Sequence, residues 1–142
     1  MAGRPSSREE WQSSMRERIV QEIQMLKDKH PSLQHGQNYD WVMIPDFQLP
    51  HGWNRQSTRL LFLIPNTYPH TAPDNFYVDA GLRTASGEMP NNYSEGASIP
   101  ISGNWGCFSW HPETWKPVST PEGGDNLVTF MRAVGIRLRE LK

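Results

Sequence analysis

The sequence has little from which a disulfide, a membrane span or a strongly charged surface could be built. A single cysteine, Cys107, occurs in 142 residues, which rules out an internal disulfide and fits a reducing, cytoplasmic setting. The longest apolar run, Leu60 to Ile64, is far too short to cross a bilayer. Fourteen basic and fifteen acidic residues nearly cancel, so net charge gives no case for nucleic-acid binding. We therefore expect a soluble protein without a nucleic-acid or membrane partner.

Rigid and bulky residues are, by contrast, plentiful. The chain carries twelve prolines, eleven glycines and six tryptophans, a composition typical of ordered loops rather than of disorder. A chain of 16.3 kDa can bury a sufficient core without cross-links or metal. We expect a single domain over residues 1–142, with residues 1–6 flexible.

Two segments have helical periodicity. The first opens with a capping-box pattern, Ser7-Arg8-Glu9-Glu10, and is ended by His30-Pro31. Its apolar positions recur at helical spacing: Trp11, Met15, Ile19, Val20, Ile23 and Leu26. The second begins at an expected N-cap, Asp125. Its apolar positions continue to the last residues of the sequence: Leu127, Phe130, Met131, Val134, Leu138 and Leu141.

Between the helices the pattern is that of strands. Segments 39–44, 47–49, 57–64 and 75–79 are rich in aromatic and aliphatic residues and are separated by turn residues. Residues 80–106 show no clear period. The sequence predicts an α+β fold consisting of an N-terminal helix, an antiparallel four-stranded meander sheet, an irregular cysteine-bearing segment and a C-terminal helix.

The cysteine lies in a segment dense in tryptophan, Gly103 to Pro117. Judged alone, a single cysteine is more often an inert buried thiol than a nucleophile. A cysteine protease would use His111 and Asp125 to orient the thiol, but the residues around Cys107 match no such signature. One cysteine and five scattered histidines form no recognisable zinc ligand set. We expect no metal and no cofactor.

Three stretches together resemble the ubiquitin-conjugating enzyme family. The strand Leu60 to Pro65 runs into Tyr68-Pro69 and then Pro73, as in the family's strand and Tyr-Pro turn. Cys107 precedes Trp115-Lys116-Pro117 by eight residues, which is the family's spacing from catalytic cysteine to Trp-x-Pro. A helix follows from Leu127, as it does in the family. The resemblance implies the fold of that family.

The departures from the family pattern are also informative. The family's His-Pro-Asn tripeptide lies about ten residues before the cysteine, and here that window reads Ala97-Ser98-Ile99. A single helix follows the Trp-x-Pro, where typical eukaryotic members have further helices. The chain is therefore most similar to minimal bacterial members, which occur beside ubiquitin-like proteins, activating enzymes and JAB-type peptidases.

The resemblance implies that Cys107 accepts a ubiquitin-like protein as a thioester from an activating enzyme and passes it to a target protein. Tyr68, Pro69, Trp115 and Pro117 would be scaffold that fixes the cysteine segment. Each transfer needs a donor for the oxyanion intermediate. Since the family assigns that task to the missing asparagine, another group must supply it.

Several residues could supply the missing group. Asn104 is nearest in sequence to the thiol, although a turn role would also explain it. Asn91, Asn92 and the backbone amides around Gly106 are alternatives. His111 could orient or deprotonate the incoming nucleophile, or could be a structural or solvated histidine.

Two further expectations concern partners. Arg16 and Arg18 lie on the basic face of the first helix, which is either simply solvated or docks the activating enzyme. The alternative to a conjugating enzyme is a non-catalytic adaptor of the same fold that binds a ubiquitin-like protein or its activating enzyme. The missing tripeptide favours the adaptor, and the retained cysteine favours the enzyme.

Overall fold

The computed structural model describes residues 8–142, and it describes side chains from residue 13 onward. Helix α1 spans Arg8–Lys29 and helix α2 spans Leu127–Leu138. A single turn of 3-10 helix, Pro121–Gly123, precedes α2. The strands are β1 Gln34–His35, β2 Trp41–Gln48, β3 Ser57–Leu63, β4 Phe76–Asp79, β5 Tyr93–Glu95 and β6 Trp105–Phe108. The predicted α+β fold is confirmed, and the predicted capping box at Ser7 lies outside the described residues.

The strands form one antiparallel sheet in the order β1-β2-β3-β4-β6-β5. It has six strands rather than the four predicted. The predicted strands 39–44 and 47–49 are a single strand, β2, whose register shifts between Ile44 and Phe47. Pro45 lies at that shift, as expected for a residue that cannot donate to the ladder. Strands β1 and β5 have two and three residues, too few to show a period in the sequence.

Cys107 lies on a regular strand, β6, and not on the irregular segment that was predicted. Strand β6 is paired on both sides, with β4 and with β5. Its four residues, Trp-Gly-Cys-Phe, are too few and too uniformly apolar for an alternation to be visible. Pairing with two distant strands therefore determines the conformation of this segment, which local sequence does not.

The core lies between one face of the sheet and the two helices. Its buried residues include Ile19, Ile23 and Leu26 of α1, Leu60, Phe62, Phe76, Val78 and Phe108 of the sheet, and Leu127, Phe130, Met131, Val134 and Leu138 of α2. Val20 departs from the predicted stripe, because its side chain is 40% exposed. Glu22, a charged residue, is fully buried on the same helix.

Helix α2 is capped by Asn126 rather than by Asp125. The Asn126 side chain accepts a hydrogen bond from the Thr129 amide at 2.9 Å, and Thr129 Oγ1 accepts from the Asn126 amide at 2.9 Å. Asp125 instead accepts from the Lys116 amide at 2.6 Å and from the Thr129 hydroxyl at 2.9 Å. The pair Asp125-Asn126 offers two good capping side chains, so composition alone leaves the cap ambiguous by one residue. The helix ends at Leu138, before the predicted Leu141.

Neither helix found in residues 8–142 has an apolar stretch long enough to cross a membrane.

Candidate functional site

Cys107 lies on the face of the sheet that points away from both helices, here called the outer face. The next residue, Phe108, is fully buried in the core and stacks on Phe76 with ring centroids 4.7 Å apart. Successive side chains of a strand point to opposite faces. The thiol is half-buried there. The reactive atom therefore lies on a surface separate from the helix-packed core.

Two hydroxyl-bearing residues flank Cys107 across the sheet. Tyr77 of β4 is its register partner on one side, and Ser94 of β5 is its partner on the other. Directly opposed residues of antiparallel strands have Cβ atoms about 4.5–5.5 Å apart. Neither residue was identified from the sequence, because the pairing joins segments 30 residues apart along the chain through an irregular connection. Alternation in Phe76-Tyr77-Val78 was the only local signal, and it gives the face but not the partner.

The environment of Cys107 favours the neutral thiol. Burial raises its pKa, and the Asp74 carboxylate raises it further, while hydrogen bonding with the Tyr77 phenol partly lowers it. The pKa of Tyr77 is also raised, first by burial and then by the nearby cysteine. At neutral pH the site therefore contains a protonated thiol beside a protonated phenol.

Asn75 holds the start of β4 in place beside this pair. It has a left-handed backbone with φ of 65°, which asparagine tolerates better than most residues. Its amide donates to the Trp110 carbonyl at 2.6 Å, and its Oδ1 accepts from the Trp110 amide at 3.0 Å. The remaining side-chain amide group lies within hydrogen-bonding reach of Tyr77, whose pKa it lowers.

A loop, residues 96–104, lies over the outer face beside β6. Trp105 at its end is 1% exposed, and its ring nitrogen donates to the Ile101 carbonyl at 3.0 Å. The Arg59 guanidinium covers the same ring at 4.1 Å from its centroid. The Ala97 amide donates to the Trp105 carbonyl at 3.4 Å. The Ala97-Ser98-Ile99 window, where the resembling family has its tripeptide, thus belongs to this loop.

The predicted oxyanion donors are placed less favourably than Tyr77. Asn104 accepts from the Ala80 amide through its carbonyl at 2.9 Å, and three residues of extended chain separate it from Cys107 by about 10 Å. Residues three apart on a strand also point to opposite faces. The carbonyls of Asn91 and Asn92 accept from Arg137 Nη2 at 3.0 Å and from the Ser109 amide at 2.8 Å, which ties both residues to the start of β5. Gly106 pairs with β4 and β5, which commits its backbone to the sheet.

His111 lines a groove between its own segment and α2, together with Trp115, Ala133 and Arg137. This groove is on the helix side of the sheet, whereas the thiol points to the outer face. His111 is exposed, as a solvated histidine would be. In the part of the chain that the structure describes, no three metal-ligating side chains come together.

The Tyr-Pro turn and the Trp-x-Pro motif, 46 residues apart, touch each other. Trp115 Nε1 donates to the Pro69 carbonyl at 2.7 Å, and the Trp115 and Tyr68 ring centroids are 6.1 Å apart. Tyr68 is fully buried, and Pro117 is half-buried. The contact anchors the chain that leaves β6, so its effect on the thiol acts through the backbone.

Arg16 and Arg18 have different surroundings. Arg16 is exposed, with its guanidinium 5.7 Å from the centre of the Tyr39 ring. The Arg18 side chain is only 10% exposed, and its Nε binds Glu22 at 2.7 Å. Its two terminal nitrogens contact the Val118 and Asp125 carbonyls. Of the pair, Arg16 is the one that presents a charge to solvent.

Comparison with known proteins places the chain. No curated protein and no solved structure matches it at a significant level. A sequence model described as prokaryotic E2 family E matches residues 20–140. That span includes most of α1, the whole sheet with Cys107, and α2. Because the match extends over well above half of the sequence, the chain belongs to prokaryotic E2 family E.

Proposed function

We propose that the protein is a conjugating enzyme that carries a ubiquitin-like protein as a thioester on Cys107. Family membership suggests a ubiquitin-conjugating-like role in general. The observation that supports the carrier mechanism is the position of Cys107, half-buried on the outer face of a strand that is paired on both sides. Such a thiol is accessible and held at a fixed place, as covalent catalysis requires.

Two acyl transfers make up the proposed reaction. In the first, the Cys107 sulfur bonds to the carbonyl carbon of the activating enzyme's thioester, the old carbon–sulfur bond breaks, and the departing thiolate takes up the proton that Cys107 lost. In the second, a nucleophile on the target, such as an amine, attacks the Cys107 thioester. The carbon–sulfur bond breaks, and the regenerated thiolate takes the proton that the nucleophile releases.

The raised pKa of Cys107 is compatible with this chemistry. A thioester is already an activated acyl donor, so a small thiolate fraction suffices and no neighbouring base is needed. The costly requirement is stabilisation of the oxyanion in each tetrahedral intermediate, since losing one donor typically slows such reactions about 100- to 1000-fold. A site of neutral hydrogen-bond donors fits that requirement.

The family implies a ubiquitin-like protein and an activating enzyme as partners in general. For this chain we place both in one pathway, with a JAB-type peptidase as a possible third component and with the pathway operating in the cytoplasm. Exposed Arg16 is the residue of α1 that we assign to docking the activating enzyme.

A charging assay tests the proposal. The protein is incubated with the ubiquitin-like protein and the activating enzyme encoded beside its gene, together with ATP, and is analysed on a non-reducing gel. We expect an adduct that reductant removes and that Cys107→Ala abolishes. Cys107→Ser should give an adduct that resists reductant, because an oxyester replaces the thioester. Loss of the adduct in neither variant would refute Cys107 as the acceptor.

The second candidate is a non-catalytic adaptor, which the Ala97-Ser98-Ile99 window favours because it lacks the family's asparagine. The same mixture discriminates the two functions. An adaptor would bind the ubiquitin-like protein or the activating enzyme, as measured by analytical gel filtration or calorimetry, in the wild type and in Cys107→Ala alike. Binding without any adduct would establish the adaptor and reject the carrier.

A further inference from the structure

We propose that the Tyr77 hydroxyl is the hydrogen-bond donor to the oxyanion that forms at Cys107, in place of the asparagine of the absent tripeptide. The inference rests on the proposed carrier function and names the group that would make it work. It follows from three features of the outer face: the register of β4 against β6, the fixed position of Asn75, and the protonation of the phenol.

Register places the two side chains side by side. Tyr77 and Cys107 are direct partners in the antiparallel pair β4–β6, on the same face and both half-buried. The phenol is near enough to the thiol for hydrogen bonding to influence the pKa of both groups. A carbonyl carbon bonded to Cys107 Sγ brings its oxygen into the same neighbourhood. Hydrogen bonds of this kind often tighten only when the substrate is bound.

Asn75 prevents the phenol from being a freely moving group. Its backbone and Oδ1 are both bound to Trp110, at 2.6 and 3.0 Å, so its side chain has one orientation with the amide nitrogen left over. That nitrogen lies within reach of the Tyr77 oxygen, to which it can donate. A phenol that accepts one hydrogen bond is directed to donate its own proton elsewhere, and Cys107 is the neighbour on that side.

The ionisation of the site is the one that oxyanion binding needs. Burial raises the pKa of Tyr77 above its ordinary value near 10, so the phenol stays protonated at pH values where thiolate forms. It can therefore donate but is a poor base. During attack the carbonyl oxygen gains the electron pair of the C=O bond and accepts the Tyr77 hydrogen bond. When the intermediate collapses the pair returns to the C=O bond, and the phenol keeps its proton throughout.

Ser94 is the competing donor, because it flanks Cys107 from β5. Ser94 is exposed, on an edge strand of three residues. Tyr77 is half-buried between β3 and β6, where a hydrogen bond is less weakened by water. Tyr93 offers a matched control, since its hydroxyl binds Glu95 at 2.8 Å and its ring packs on Phe108 at the core face.

The test compares Tyr77→Phe, Ser94→Ala and Tyr93→Phe under single-turnover conditions. Two rates are measured: charging from the activating enzyme, and discharge of the thioester to hydroxylamine. Tyr77→Phe should slow both about 100-fold, the usual effect of losing one oxyanion donor. Tyr93→Phe should remain near wild type. A larger effect of Ser94→Ala than of Tyr77→Phe would assign the donor to Ser94 and overturn the proposal.

A second measurement separates oxyanion binding from simple support of the thiol. Alkylation of Cys107 by iodoacetamide passes through no carbonyl oxyanion, so Tyr77→Phe should affect it much less than acyl transfer. Asn75→Asp keeps the acceptor for the Trp110 amide but removes the donor to Tyr77, and should show the same imbalance more weakly. Equal losses in alkylation and transfer would show that Tyr77 acts only on the thiol.

The two proposals fail in different ways. If wild-type protein forms no thioester, the carrier function fails and this inference falls with it. If wild type charges normally and Tyr77→Phe charges at the same rate, the carrier function stands and only the assignment of Tyr77 is rejected. Circular dichroism of each variant verifies that the sheet has folded before rates are compared.

Discussion

The Tyr68 hydroxyl donates a hydrogen bond to the carboxylate of Glu22, 46 residues away in the chain. The same oxygen accepts from the Leu127 amide at 2.7 Å, and Arg18 binds the other oxygen at 2.7 Å. Glu22 is fully buried, and burial, followed by the Glu22 carboxylate, raises the pKa of Tyr68. One buried carboxylate thus joins α1, the Tyr-Pro turn and the first turn of α2, where it satisfies a free amide.

Removing this carboxylate should destabilise the fold strongly. In Glu22→Ala the Arg18 guanidinium, the Tyr68 hydroxyl and the Leu127 amide all lose their partner, and breaking a buried ion pair costs about 3–5 kcal/mol. Tyr68→Phe should cost about 1–3 kcal/mol, because it leaves one carboxylate oxygen with one donor fewer. Urea unfolding followed by tryptophan fluorescence measures both. The control is Glu17→Ala, an exposed position of the same helix, expected to change stability by less than about 0.5 kcal/mol. Equal effects at positions 17 and 22 would contradict this account.

Charge reversal should separate the two arginines of α1. Arg18→Glu places a second carboxylate beside buried Glu22 and removes the contacts with the Val118 and Asp125 carbonyls, so we expect a loss of about 3–5 kcal/mol. Arg16→Glu should leave the free energy of unfolding nearly unchanged, because Arg16 is exposed.

The same Arg16→Glu variant tests docking to the activating enzyme. If Arg16 contributes to that interface, charging should be slower at low ionic strength, and the difference from wild type should shrink as salt is added. Lys27→Glu, an exposed change of the same sign farther along α1, controls for net charge. Equal charging rates for wild type and Arg16→Glu at low salt would remove Arg16 from the docking surface.

The thiol should titrate at higher pH in the folded chain than in the unfolded chain. Burial raises the pKa of Cys107, so the folded state holds the thiol proton more tightly. The stability contributed by this proton is full below the unfolded-state pKa, near 8.5, and is lost as pH rises through the folded pKa. Since Cys107 is the sole cysteine, iodoacetamide rates in buffer and in urea give both midpoints directly. A folded midpoint at or below the unfolded one would contradict the burial of the thiol.

Local pattern was sufficient where the chain has long periodic segments. Strand β3 and helix α2 have apolar residues at clear spacing, and both were placed within one or two residues. Segments that depend on distant partners were not found: β1, β5 and β6 have between two and four residues, and only pairing makes them strands. Arg18 was expected to be solvated because its spacing lies off the apolar stripe, but the segment 118–125 covers it.

The candidate site divides in the same way. Cys107 and the Trp115 motif could be identified because a fixed spacing along the chain carries the resemblance. Tyr77 could not, since its proximity to Cys107 arises from strand register across 30 residues, which no local signal encodes. The roles assigned to Cys107, Asn104 and His111 stay predictions, and of the groups considered as oxyanion donor the geometry favours Tyr77.

The neighbour of the thiol on its own strand, Gly106, limits how this nucleophile can be engineered. A Cβ at position 106 would overlap the Tyr93 ring, and the overlap is with a ring held by Phe108 and Glu95. Even alanine there would push β5 and β6 apart and so shift Cys107 away from Tyr77. The Gly-Cys dipeptide is thus a spacing element, which transmits the packing of the core face to the position of sulfur on the opposite side of the sheet.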